Sequence, residues 1–223
     1  MAKVVFFAIH GTLLDSRDLN AQAWQETLRQ FGKEVDVEDV HGHLRSGADH
    51  LMSVFLPPVQ VESQGREIER YQEALFWSKY AYRARAFPQV RELFERLDLD
   101  GYRIVFASSV SSKDLHRCKR LTQVGALLDE ATPIDDQSTL QSDQFLAALD
   151  SLKTVGPDEM ILVGDKPHEA RAAGRVGLHT IGLLCGGTPE EQLRGAGCTE
   201  VYRDCSELLA QYDRSLLAEV EMY

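Results

Sequence analysis

Three short segments of this chain gather residue types that can do chemistry. In Ala8-Ile9-His10-Gly11-Thr12 a histidine stands in a tight turn after an apolar run. An imidazole of ordinary pKa can trade a proton near neutral pH. Ser108 and Ser109, which open the stretch SSVSS, offer hydroxyls and backbone N–H groups that bind an anion or solvate a loop and cap a helix. Asp165 and Glu169 are carboxylates, able to hold a hard cation or to sit favourably at the start of a helix. The four cysteines (Cys118, Cys185, Cys198, Cys205) show neither a CxxC nor a Cys/His ligand spacing, so they read as reduced thiols. Nothing in the sequence near Cys185 would activate it.

The elements around these segments place them alike. KVVFFAI at 3–9, YRIVFA at 102–107 and MILVG at 160–164 are apolar runs of strand length, and each leads into one of the segments. Helical periodicity over Val90–Leu97, Leu115–Leu121, Phe145–Leu152, Glu169–Val176 and Ser206–Leu217 alternates with strands, including Thr180–Leu184 and Glu200–Tyr202. That alternation predicts right-handed βαβ units and a parallel sheet in a three-layer α/β sandwich. In such sheets ligands lie beyond the carboxyl ends of the strands, where all three segments fall. Between about residues 17 and 85 the pattern is helical throughout. Apolar positions at Ala23, Trp24, Leu28 and Phe31 end at Gly32; a second stretch covers Val37–Leu44; a third, Leu51–Phe55, stops at Pro57-Pro58; a fourth runs from Ile68 to Tyr82. This predicts an inserted domain of four helices (17–85), with 1–16 and 86–223 forming the sandwich. Trp24, Phe76, Trp77 and Tyr80 fall at the spacing of that insert's core.

Composition narrows the partners. A net charge of −11 disfavours nucleic acid and anionic membrane. No apolar run approaches the length of a membrane span. A strand starting at the N-terminus leaves no room for a leader, which predicts a cytoplasmic protein.

Taken in order, the segments resemble the motifs of the haloacid dehalogenase-like hydrolase superfamily. Ala8-Ile9-His10-Gly11-Thr12-Leu13 aligns with D-x-D-G-T-[LV], Ser108 with the Ser/Thr ending the second motif strand, and Gly164-Asp165 with Glu169 with G-D-x-x-x-[DE]. The flanking FPQVRELFERL and AAGRVGLHTIGL also fit. The likeness covers nearly the whole chain and is greatest to the phosphoglycolate phosphatase and β-phosphoglucomutase branch with its helical cap. The resemblance implies a Mg²⁺-dependent phosphatase-type hydrolase acting on a small phosphorylated molecule. In such enzymes an aspartate attacks phosphorus, and a second carboxylate works as acid and base. It further implies that Asp165 and Glu169 are metal ligands, that Gly11, Thr12, Ser108 and Ser109 surround the phosphoryl group, and that Arg45 grips a distal anion with its guanidinium fork. A salt bridge from Arg45 to Asp49 is the plainer alternative.

The chain departs from that pattern where the chemistry is done. Alanine stands at position 8, where the nucleophile is expected, and histidine at position 10. Thr139 stands where the third motif has its lysine, and Lys113 or Lys166 is the candidate replacement. Losing a covalent nucleophile removes turnover on the order of a million-fold in a well-studied hydrolase. The sequence therefore predicts a catalytically silent relative, a pseudoenzyme that binds a phosphorylated ligand or a protein partner. The alternative is an active hydrolase, either because Ala8 is an engineered replacement or because His10 activates water directly.

Overall fold

Val4, Val5, Phe6 and Phe7 have no exposed surface, and they form β1 (Val4–Phe7), an inner strand of a parallel sheet. The computed structural model describes residues 4–107, 112–127, 156 and 159–218. These fall into two units, Ser16–Ala84 and the sequence on either side of it. The sheet order is β4-β1-β5-β6-β7, with β4 at Arg103–Phe106, β5 at Met160–Gly164, β6 at His179–Leu183 and β7 at Glu200–Tyr202. All its pairings are parallel; β1 pairs Phe7 with Phe106 on one side and with Val163 on the other. A strand covered on both faces needs an unbroken apolar run, which is what VVFF and MILVG supply.

Alternate β1 side chains serve opposite faces. Phe7 meets Phe94 of α5 (Val90–Leu99), ring centroids 4.7 Å apart, and Phe94 meets Phe106 at 6.3 Å. Phe6 joins Leu162, Ala172, Ala173 and Leu178 in a cluster with α7 (Pro167–Arg175). The result is a helix–sheet–helix sandwich. Because the chain leaves β1 for β4 on one side and β5 on the other, β1 is a topological switch point. Sheets of this kind take their ligands there, beyond the carboxyl ends of the strands.

The helical unit holds α1 (Arg17–Gln30), α2 (Val37–Leu44), α3 (Ala48–Phe55) and α4 (Pro58–Leu75). Helix α1 stops where expected. Gly32 adopts φ +87°, its N–H donates to Arg29 O, and Lys33 N–H reaches back to Leu28 O at 2.8 Å. That pairing is a Schellman end, which needs a residue without Cβ strain. Ala21, Trp24, Leu28, Val40, Leu51, Met52, Leu56 and Ile68 make this unit's core. The fourth helix differs from the expected Ile68–Tyr82. It begins ten residues earlier, at Pro58, whose fixed φ suits a first helical turn. It then widens into a π turn over Phe76–Tyr80 that leaves Phe76, Trp77 and Tyr80 all buried.

A two-residue antiparallel ribbon, β2 (Leu14–Asp15) with β3 (Arg85–Ala86), was not legible in the sequence. The last helix is also shorter than expected. It spans only Cys205–Ala210, and a 3₁₀ turn at Tyr212–Arg214 follows. Helix Phe145–Leu152 lies outside the described residues, and Leu115–Leu121 is found within α6 (Ser112–Thr122). Among the described residues no helix is long and apolar enough to cross a membrane.

Candidate functional site

The chain after β1 folds into a knot of backbone hydrogen bonds. Ala8 N–H extends the ladder to Val163 O at 2.9 Å, and the N–H groups of Leu13 and Leu14 converge on Ile9 O. Gly11 takes φ +84° in this turn. A glycine is needed for a second reason: a Cβ there would lie 2.4 Å from Asp165 Oδ2. From the other side, a Cβ on Gly186 would lie 2.0 Å from the same oxygen. Asp165 is thus wedged between two side-chain-free backbones, and its Oδ1 accepts a 2.9 Å hydrogen bond from the buried Thr12 hydroxyl.

Asp165 directly follows β5, and Lys166 and Pro167 open α7, so the acid sits just ahead of a helix N-terminus. Glu169, in the first turn of α7, folds back toward the sheet. A Cβ on Gly164 would fall 2.7 Å from Glu169 Oε2 and 3.6 Å from the Ala8 methyl. Glu169 Oε2 is buried without a hydrogen-bond donor, while Oε1 lies 3.7 Å from the Lys166 ammonium.

Burial sets the protonation behaviour of this group. It pushes the Asp165 carboxyl up to about 6; Lys166 and the Thr12 hydroxyl oppose the rise, and Glu169 adds to it. Burial raises Glu169 as well, against the pull of Lys166. Burial works against the Lys166 charge, but Glu169 and Asp165 outweigh it and hold that ammonium above its ordinary value. His10 keeps part of its surface, yet crowding by protein, with Lys166 second, drives its imidazole down to about 3. It is therefore neutral across the physiological range.

Mg²⁺, which the family resemblance implies, demands near-octahedral oxygen ligands at about 2.0–2.1 Å. Of the residues present, Asp165 has one oxygen committed to Thr12 and the other enclosed between Gly11 and Gly186. Ala8 supplies no oxygen, and the Lys166 cation already stands beside Glu169. This donor set does not fit Mg²⁺. Among the described residues no group of three or more His, Cys, Asp or Glu is placed to hold a metal.

The site therefore brings together Ala8, His10, Gly11, Thr12, Asp165, Lys166 and Glu169. Arg45 belongs to the other unit, capping the carboxyl end of α2. Ser108, Ser109, Thr139 and the side chain of Lys113 lie outside the described residues. Three neighbours went unnoticed in the sequence as parts of this site. Gly186 forms one wall, and the thiols of Cys185 and Cys205 point at the Gly11 and Thr12 carbonyls at 3.3 and 3.7 Å. The Gly186-Gly187 pair, at the end of the short turn that follows β6, was the available signal, since paired glycines often permit close backbone approach. Burial raises both thiols, Cys205 to about 12, so they are inert hydrogen-bond donors.

The sequence model of the haloacid dehalogenase-like hydrolases matches residues 5–183. A phosphoglycolate phosphatase of Aliivibrio fischeri is 25% identical over 193 residues, 82% of this chain and 85% of that protein. Another, from Vibrio parahaemolyticus, is 26% identical over 93% of this chain and 94% of its own length. The crystal structure of a hydrolase from Pseudomonas syringae superposes with a TM-score of 0.77 at 25% identity, covering 95% of this chain and 98% of that one. With the strand order, the topological switch point and the ordered motifs, these likenesses establish that the chain belongs to the haloacid dehalogenase-like hydrolases, on their phosphoglycolate phosphatase-like branch.

Proposed function

We propose that this chain is a silent member of its phosphatase-type family, one that keeps the fold but turns over phosphate esters negligibly. The observation that carries the reading is the pairing of Ala8 with Lys166. A methyl group stands where the attack on phosphorus would begin, and an ammonium offsets the two carboxylates that would otherwise draw a divalent cation. Direct activation of water by His10 is disfavoured by the same environment. A base pushed down to about 3 has little affinity for the proton it would have to take.

The ligand class that suits the reading is a small phosphorylated molecule, in line with the names of the curated relatives; a protein partner is the alternative. The test is steady-state hydrolysis of p-nitrophenyl phosphate with Mg²⁺, comparing the chain with its Ala8→Asp variant. Expected is no turnover by the parent. Turnover by the variant alone would mean that position 8 is the decisive lesion and that the rest of the site is competent. Parent turnover that scales with pure protein and disappears in His10→Ala would overturn the proposal.

A further inference from the structure

Within the helical unit, two imidazoles face each other across a turn. His43, in the last turn of α2, and His50, in the first turns of α3, place Nδ1 and Nε2 3.4 Å apart, with ring centroids at 5.5 Å and planes tilted by 40°. An imidazole ring nitrogen lies only about 1.1 Å from its ring centre. Centroids 5.5 Å apart with nitrogens at 3.4 Å therefore require both nitrogens to point inward. The gap exceeds the usual 2.7–3.2 Å of a hydrogen bond donated by nitrogen. It matches the separation of two ligands on one tetrahedral metal: with Zn–N of about 2.0–2.1 Å, the nitrogens stand about 3.3–3.4 Å apart.

The two rings are held by different means. Phe55 packs edge-on against His43, ring centroids 5.4 Å apart at 88°, while His50 is exposed. An ion would thus find one oriented ligand and one open to solvent. Imidazole is a ligand of the borderline metals Zn²⁺, Ni²⁺, Co²⁺ and Cu²⁺ rather than of Mg²⁺ or Ca²⁺. Among the described residues no third His, Cys, Asp or Glu completes the set. Water fills the other positions, and affinity falls below that of a four-ligand structural site.

We propose that His43 and His50 form a two-histidine site for a divalent transition-metal ion that staples α2 to α3. The staple closes over the turn Arg45-Ser46-Gly47, otherwise held by backbone bonds from Ser46 N–H to His43 O and from Gly47 N–H to Leu44 O. Binding restrains the turn that carries Arg45, and neither Asp165 nor Glu169 takes part. The site therefore stands or falls independently of the proposed catalytic silence.

The experiment uses the full chain without an affinity tag. Zn²⁺ is titrated against a chromophoric chelator, Co²⁺ is followed by its visible spectrum, and both are repeated on His43→Gln and His50→Gln. Expected is one equivalent bound by the parent, with a nitrogen/oxygen Co²⁺ spectrum lacking a thiolate charge-transfer band. Each variant should bind at least tenfold more weakly, and a Zn²⁺-induced rise in Tm of a few degrees should be lost. Circular dichroism of the variants without metal establishes that they fold. Equal affinity in parent and both variants, or a thiolate band in the parent, would overturn the site.

Discussion

Thr12 and Asp165 stand 153 residues apart in the chain and share one 2.9 Å hydrogen bond, both of them buried. That bond ties the turn after β1 to the end of β5. Thr12→Val keeps the shape and removes the donor, leaving a buried carboxyl oxygen unsatisfied. The expected cost is about 1–3 kcal/mol, read from urea denaturation. A loss below about 0.5 kcal/mol would show that the bond contributes nothing net.

The site titrates in two opposing directions. Asp165 is raised to about 6 from an ordinary value of 3.8, so its contribution to stability is full below about pH 4 and is lost as pH rises through 6. His10 is depressed from 6.5 to about 3, so its contribution is present above pH 6.5 and is lost as pH falls toward 3. Between pH 4 and 6 the two trends oppose each other. In His10→Gln only the Asp165 trend remains. That variant should gain stability relative to the parent on acidification from pH 6 to 4, on the order of 1–3 kcal/mol. Parallel pH profiles for the two proteins would refute the assignment.

Gly186 has no room for a methyl group while Asp165 is present. Gly186→Ala is expected to cost more than about 2 kcal/mol, because the clash is with a carboxylate fixed by Thr12 and Gly11. In an Asp165→Ala background the same change should cost much less. The double-mutant coupling, measured by chemical denaturation, should exceed about 1 kcal/mol; additive effects would count against the wedge.

Ala8→Asp should carry a second signature besides activity. Position 8 is 2% exposed, and its methyl and Glu169 Oε2 both crowd the Gly164 backbone, so a new carboxylate there is buried in the neighbourhood of another. Without metal the variant should lose about 2–4 kcal/mol of stability. Millimolar Mg²⁺ should restore part of it in the variant and leave the parent's Tm almost unchanged. A parent as responsive to Mg²⁺ as the variant would contradict the donor-set argument.

Much of the sheet was legible because its inner strands are covered on both faces and must be apolar, as VVFF and MILVG are. Schellman termination at Gly32 was equally readable, since few residues tolerate that backbone. The wedge around Asp165 was not: Gly11 and Gly186 meet only through tertiary packing, and no local pattern links them. Nor did the ordinary pKa of histidine foretell a neutral His10, because burial and the Lys166 charge belong to the folded neighbourhood. The β2–β3 ribbon is too short to leave a periodic signal, and the π turn at Phe76–Tyr80 continues a helical pattern that sequence spacing reads as ordinary α.

That ribbon has an architectural consequence. The chain leaves the sandwich at Leu14–Asp15 and re-enters it at Arg85–Ala86, and these residues are hydrogen-bonded neighbours. The chain therefore enters and leaves the helical unit through one clasped pair of short strands. Entry and exit points this close let a segment be shortened, exchanged or grafted without rethreading the sheet. The clasp makes the helical unit a replaceable part, free to change its surface while the parallel strands keep their order.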